Sequence, residues 1–155
     1  MGQKNEVRAE LDSALAALKE TVAGVPADRW GRESANPGWT ASMVLAHLIS
    51  AESGNLSIAR RILAGEGNPV EGFDLNRWNA RQLEKMGPKE PDQSLRELEG
   101  VRQESLALYE SLSEADLDRA GFRTTGEPTT VGGVFRQIAR HQREHAEDIR
   151  KATAG

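Results

Sequence analysis

The sequence predicts an all-α protein, an up-down four-helix bundle with short extra helices in its connections, over one domain of residues 1–155. Apolar residues recur at three- and four-residue intervals in the long segments. No segment shows the period-two alternation of a half-buried strand, and stretches containing Gly and Pro separate the periodic ones. With 155 residues the chain can bury a core without disulfide or metal staples, so a metal held here is expected to serve function rather than folding.

In the first segment Val7, Leu11, Ala14, Leu15, Leu18 and Val22 form a helical stripe with charges between them, and Gly24 and Pro26 stop it. A loop through Trp30 and Asn36-Pro37-Gly38 leads to Thr40, a suitable N-cap for a second helix over 41–64, with Trp39 on the entering chain. Val44, His47, Ala51, Asn55 and Ile58 share one face of that helix, which Leu45, Leu48, Ile49 and Leu56 widen. Gly65, Gly67 and Pro69 end it, and Phe73 to Met86 reads as a short helix capped by Asp74. Beyond Gly87, Pro88 and Pro91, Asp92 or Ser94 is expected to cap a helix running to about Leu112, with Leu95, Leu98, Val101, Leu106 and Leu108 apolar. The pattern admits two helices here or one kinked helix. Ser113-Glu114-Ala115-Asp116 resembles a capping sequence, Gly121 to Pro128 is expected to be a loop, and Thr130 caps the last helix.

The charge balance, 20 basic against 24 acidic residues with the signs interspersed, argues against binding to nucleic acid or an anionic membrane. The N-terminus is too polar for a signal peptide and no apolar run reaches the roughly 18 residues of a membrane span, so a cytoplasmic protein acting on a small molecule is expected. The chain has no cysteine, which removes protein thiolates, iron–sulfur clusters and sulfur-ligated zinc. Any thiol must arrive with a cosubstrate.

Three histidines, His47, His141 and His145, are all the chain has. Val134, Ile138, His141, His145 and Ile149 make one stripe of the last helix, so two imidazoles lie one turn apart on its apolar face. His47 lies on the apolar face of the second helix. A lone histidine on such a face is usually a satisfied core residue, but burying three imidazoles without a shared partner is costly, and three neutral imidazoles with an open position are the donor set of a catalytic metal. Zinc or nickel suits that set best, and iron, manganese and cobalt are compatible with it. The string HQREH also matches a metalloprotease pattern, which needs a further carboxylate well downstream that this chain does not have. Glu144, within that string, is a candidate catalytic base or orienting residue, against the plainer reading of an exposed helix charge beside Arg140. Trp30, Trp39 and Trp78 could line a pocket or fill the core, and Asn55 and Asn76 fall near apolar faces.

The run GWTASMVLAHLISAE and, further on, TTVGGVFRQIARHQREHAEDI resemble the DinB-like superfamily, which includes the N-terminal domains of mycothiol-dependent maleylpyruvate isomerases and related thiol transferases. The resemblance rests on the Trp-Thr start of the second helix, the histidine seven residues beyond Thr40 and the His-x-x-x-His of the last helix. FDLNRWN also looks like the family's linker between its second and third helices. The resemblance implies a four-helix bundle, often a homodimer, with one divalent metal ion on His47, His141 and His145. It further implies a low-molecular-weight thiol cosubstrate, held as thiolate, in S-transfer or a related detoxification activity. A non-enzymatic stress or sequestration protein that binds metal on the same bundle is the alternative.

Overall fold

The computed structural model describes residues 2–155, and four of its α-helices start where a side chain satisfies one of their free N–H groups. Thr40 accepts from Met43 N–H, Asp74 from Arg77 N–H and Thr130 from Gly133 N–H, which caps α2 (Ala41–Leu63), α3 (Leu75–Met86) and α6 (Val131–Thr153). α1 (Gln3–Ala23) precedes them, and α4 (Pro91–Glu110) and α5 (Glu114–Leu117) lie between α3 and α6. Ser113 and Asp116 close the expected capping box at α5.

The expected cap of α4 is displaced. Helix α4 opens with Pro91 in its first turn and Glu90 before it, because a proline has no N–H to leave unsatisfied there. Gly87 sits at φ 68° between α3 and α4, a left-handed backbone that separates them into two helices. The stretch expected to be a loop is a small hairpin, in which β1 (Ala120–Phe122) pairs antiparallel with β2 (Pro128–Thr130). Three-residue strands are too short to show alternation. Gly121 lets the hairpin approach α2, since a Cβ there would stand 2.7 Å from the Ile62 side chain.

Contacts along the helices fix their directions. Glu6 and Glu10 reach Arg136, and Ser13 reaches Arg143, so α1 and α6 run parallel. Ser42 bonds Lys89 O and Glu52 bonds Arg102, so α2 and α4 also run parallel. Val44 and Leu48 near the start of α2 pack with Ala146 and Ile149 near the end of α6, while Ile58 and Ile62 near the end of α2 pack with Val131 and Val134 at the start of α6, which makes α2 and α6 antiparallel. The four long helices thus form the expected bundle, but its senses are up, down, down, up rather than a simple meander. The connection through α3 carries the chain back along the bundle before α4 starts.

Two apolar clusters fill the interior, one around Leu11, Tyr109 and Phe135 and the other around Leu18, Leu45, Leu48 and Ile149. A polar group also lies inside the bundle. Glu52 and Arg102, each 2% exposed, form a two-pronged ion pair at 2.9 and 3.2 Å. Ser105 donates to Glu52 at 2.8 Å, and Gln142 donates to Glu52 at 2.8 Å while accepting from Arg102 at 2.6 Å. The remaining arginine edge donates to Leu11 O at 2.9 Å, so all four long helices meet here. Leu98, Arg102, Ser105 and Tyr109 form the buried stripe of α4, and the expected face with Val101, Leu106 and Leu108 is only half-buried.

Removing one member of a buried ion pair strands the other without water. Arg102→Ala is expected to cost about 3–5 kcal/mol of folding stability, read as a lower urea midpoint at neutral pH.

Candidate metal centre

The register of α2 against α6 brings the three imidazoles to one point. His47 on α2 is 4% exposed, and its Nε2 lies 3.4 Å from Nε2 of His141 on α6. One turn further along α6, His145 Nε2 lies 2.9 Å from the same His141 nitrogen. The rings stand nearly perpendicular to one another, with centroids 4.3 to 5.1 Å apart. One nitrogen from each ring lies within 4.8 Å of the other two.

An imidazole nitrogen carries either a proton or a single in-plane lone pair, so His141 Nε2 satisfies only one of its two neighbours. His47 Nδ1 is buried and among the described residues has no hydrogen-bond partner. A cation at the centre resolves the conflict among the converging Nε2 atoms. Ligands about 2.0–2.1 Å from a tetrahedral ion stand about 3.3–3.4 Å from one another, comparable to the 2.9 and 3.4 Å found here. The donor set therefore fits a divalent metal ion.

The surroundings of His47 and His141 favour neutral, metal-binding rings. Burial, with His145 adding to it, pushes the His47 pKa down from 6.5 to about 4. Burial, then His145, His47 and Arg123, pushes His141 down to about 3. Asp148 Oδ2 accepts from His145 Nδ1 at 2.9 Å, which holds a proton on Nδ1 and turns the Nε2 lone pair toward the other rings. Trp39 lies against the His47 ring, with centroids 5.0 Å apart, and packs on the second apolar cluster.

Glu144 is exposed. At about 100° per residue it is swung about 60° around the helix from His141 and about 100° from His145. Asp148, three positions beyond His145, is the carboxylate that holds a ring, and that spacing was a readable signal. Glu52, Arg102 and Gln142 escaped the sequence reading because polar residues on a helix are ordinarily solvated.

A chamber of about 280 Å³ opens beside the rings, with His47 and His141 in its wall. Asn55 and Trp78 also line it, whereas Asn76 is exposed and Asn79 takes a place in the wall. Trp30 packs partly buried against the second apolar cluster.

A model of the DinB superfamily matches residues 7–149. A protein of Geobacillus thermodenitrificans (strain NG80-2), provisionally named a metal-dependent hydrolase, is 29% identical over 103 residues. That match covers 66% of this chain and spans 57% of the relative's length. Among solved structures, YfiT from Bacillus subtilis, described as a probable metal-dependent hydrolase with an unusual four-helix bundle topology, superposes with TM-score 0.78 at 21% identity. It covers 96% of this chain and 85% of YfiT. A mycothiol-dependent maleylpyruvate isomerase superposes with TM-score 0.78 at 15% identity, over 94% of this chain and 60% of the isomerase. The colibactin self-resistance protein ClbS, solved in complex with a dsDNA, superposes with TM-score 0.74 at 18% identity, over 96% of this chain and 94% of ClbS. At these identities the solved structures establish a shared fold.

The lowered histidines set a pH dependence for the metal-free protein. Their folded values lie below the ordinary 6.5, so the stability tied to their neutral forms is present above that pH. It is lost as pH falls toward about 4 for His47 and about 3 for His141, because the unfolded chain binds those protons first. The urea midpoint of the metal-free protein is expected to fall between pH 7 and pH 4, and less steeply in a His47→Asn variant.

Proposed function

Because this chain belongs to the DinB superfamily and brings three imidazoles together beside an open chamber, we propose that it is a divalent-metal-dependent enzyme acting on a small molecule. His47, His141 and His145 are the residues that would hold the ion, and zinc or nickel suits them best. A divalent ion there supplies a Lewis acid that lowers the pKa of a coordinated thiol or water.

The chain's own groups do the rest. Asp148 fixes the orientation and tautomer of His145. Trp39 covers one side of the His47 ring, and the buried ion pair holds α2 and α6 at the register where the rings meet. The chamber gives a substrate access to His47 and His141.

The single observation behind the enzymatic reading is that chamber, since a sequestering site would be expected to close around its ion. Within it we favour transfer of a low-molecular-weight thiol to an electrophile. The S–H proton passes to solvent and the sulfur bonds to the electrophilic carbon, while the bond from that carbon to its leaving group breaks and the group departs with the bonding electron pair. With no cysteine in the chain, the sulfur comes from a cosubstrate. Hydrolysis is the second reading, favoured by the names of the Geobacillus relative and of YfiT.

Elemental analysis of the protein, as isolated and after reconstitution, is expected to find one divalent ion per chain. His141→Ala is expected to lose that ion while keeping its helical circular dichroism. Absence of stoichiometric metal in both preparations of the unaltered protein would sink the proposal. Electrophile consumption that needs added thiol and stops on chelation supports S-transfer, whereas metal-dependent consumption without thiol supports hydrolysis.

A further inference from the structure

The chamber has a charge pattern that metal binding alone leaves unused. Its wall contains two guanidinium groups, Arg61 and Arg123, and no Asp or Glu. The chain as a whole carries 24 acidic against 20 basic residues, so an acid-free wall with two arginines departs from the general surface.

Arg123 is half-buried just beyond β1, and its Nη2 donates to Asn55 Oδ1 at 2.8 Å. Asn55 is 7% exposed, and its Nδ2 is already committed to Ala51 O at 3.0 Å, which aims the amide oxygen at the guanidinium. Arg61, on the last turns of α2, donates to Asn68 O at 2.9 Å. Among the described residues neither arginine has a carboxylate within 4.0 Å. Exposed Glu127 attracts Arg123 without pairing, and Arg140 repels it. A guanidinium has five N–H donors and stays charged, so both groups keep capacity for an oxyanion. Elsewhere in the wall Ile58, Phe73, Leu75 and Trp78 present hydrocarbon, and Leu75 is 47% exposed.

We propose that this chamber binds an amphipathic anion. Arg123 and Arg61 recognise an oxyanion headgroup, a carboxylate or phosphate, and the apolar residues take a hydrocarbon or aromatic body. This names a substrate class for the site proposed above. It rests on that reading only for the place where such a molecule reacts.

The test is calorimetric titration of the full chain, metal-free and zinc-loaded, with hexanoate, hexyl phosphate, hexanol and hexylammonium. At least one of the two anions is expected to bind the metal-free protein about tenfold or more tighter than hexanol and hexylammonium, and the tighter anion identifies the headgroup. Arg123→Leu is expected to remove about that factor and Arg123→Lys to retain part of it. Should Arg123→Leu fail to fold, Arg61→Gln carries the same comparison. Equal affinity for the anions and hexanol overturns the proposal, as does unchanged anion affinity in the folded arginine variants.

The metal-free arm separates this inference from the metal reading. Arginine-dependent anion binding in a protein that never takes up metal would leave this inference standing and remove the metal. Stoichiometric metal with arginine-independent anion binding would do the reverse.

Discussion

The buried Glu52–Arg102 pair is the interaction on which the geometry of the site depends. A carboxylate and a guanidinium withdrawn from water are tolerable only when their remaining hydrogen-bonding capacity is met, and here Ser105, Gln142 and Leu11 O meet it. Each partner comes from a different helix or turn, so sliding α2 by one position would part the two charges and sliding α6 would take a hydrogen bond from each. Apolar packing alone tolerates such slips far better. Glu52 is five residues beyond His47 and Gln142 is next to His141, so the register that satisfies the ion pair also makes the imidazoles converge.

The interior therefore has a polar group with two neighbours of opposite character. Toward one end Leu18, Leu45, Leu48 and Ile149 pack without polar atoms, and Trp39 extends that apolar surface onto the His47 ring. On the other side the hairpin and the segment after α2 close against each other through Phe122 N–H to Gly67 O and Val70 N–H to Thr124 O. This pairing builds the chamber and brings Arg123 to Asn55. His47 is thus covered by Trp39 while it and His141 also line the chamber, an arrangement suited to binding and releasing a small molecule.

The bundle was legible in the sequence because it rests on local signals. The stripe from Val7 to Val22 and the caps at Thr40, Asp74 and Thr130 depend on residues within a turn or two of one another. The reading failed where polarity and burial part company. On α4, Arg102 and Ser105 face inward while Val101, Leu106 and Leu108 are only half-buried, which inverts the rule that apolar residues mark the core. The hairpin was missed because three-residue strands carry no periodic pattern, and Asp148, which holds the His145 ring, was not singled out because it lies outside the motif string.

What the sequence by itself determined is the helical segments, most of their starting points and the three imidazoles on apolar faces, since each is written in spacing along the chain, whereas the break at Gly87 that makes α3 and α4 two helices came from the structure. Tertiary structure alone decided that α2 and α4 run in the same sense, that Glu52 on α2 pairs with Arg102 on α4, and that Arg123 stands at the chamber with Asn55. These contacts join residues 47 to 68 positions apart. Their partners are selected by desolvation and hydrogen-bond geometry in the folded interior, which no local pattern encodes.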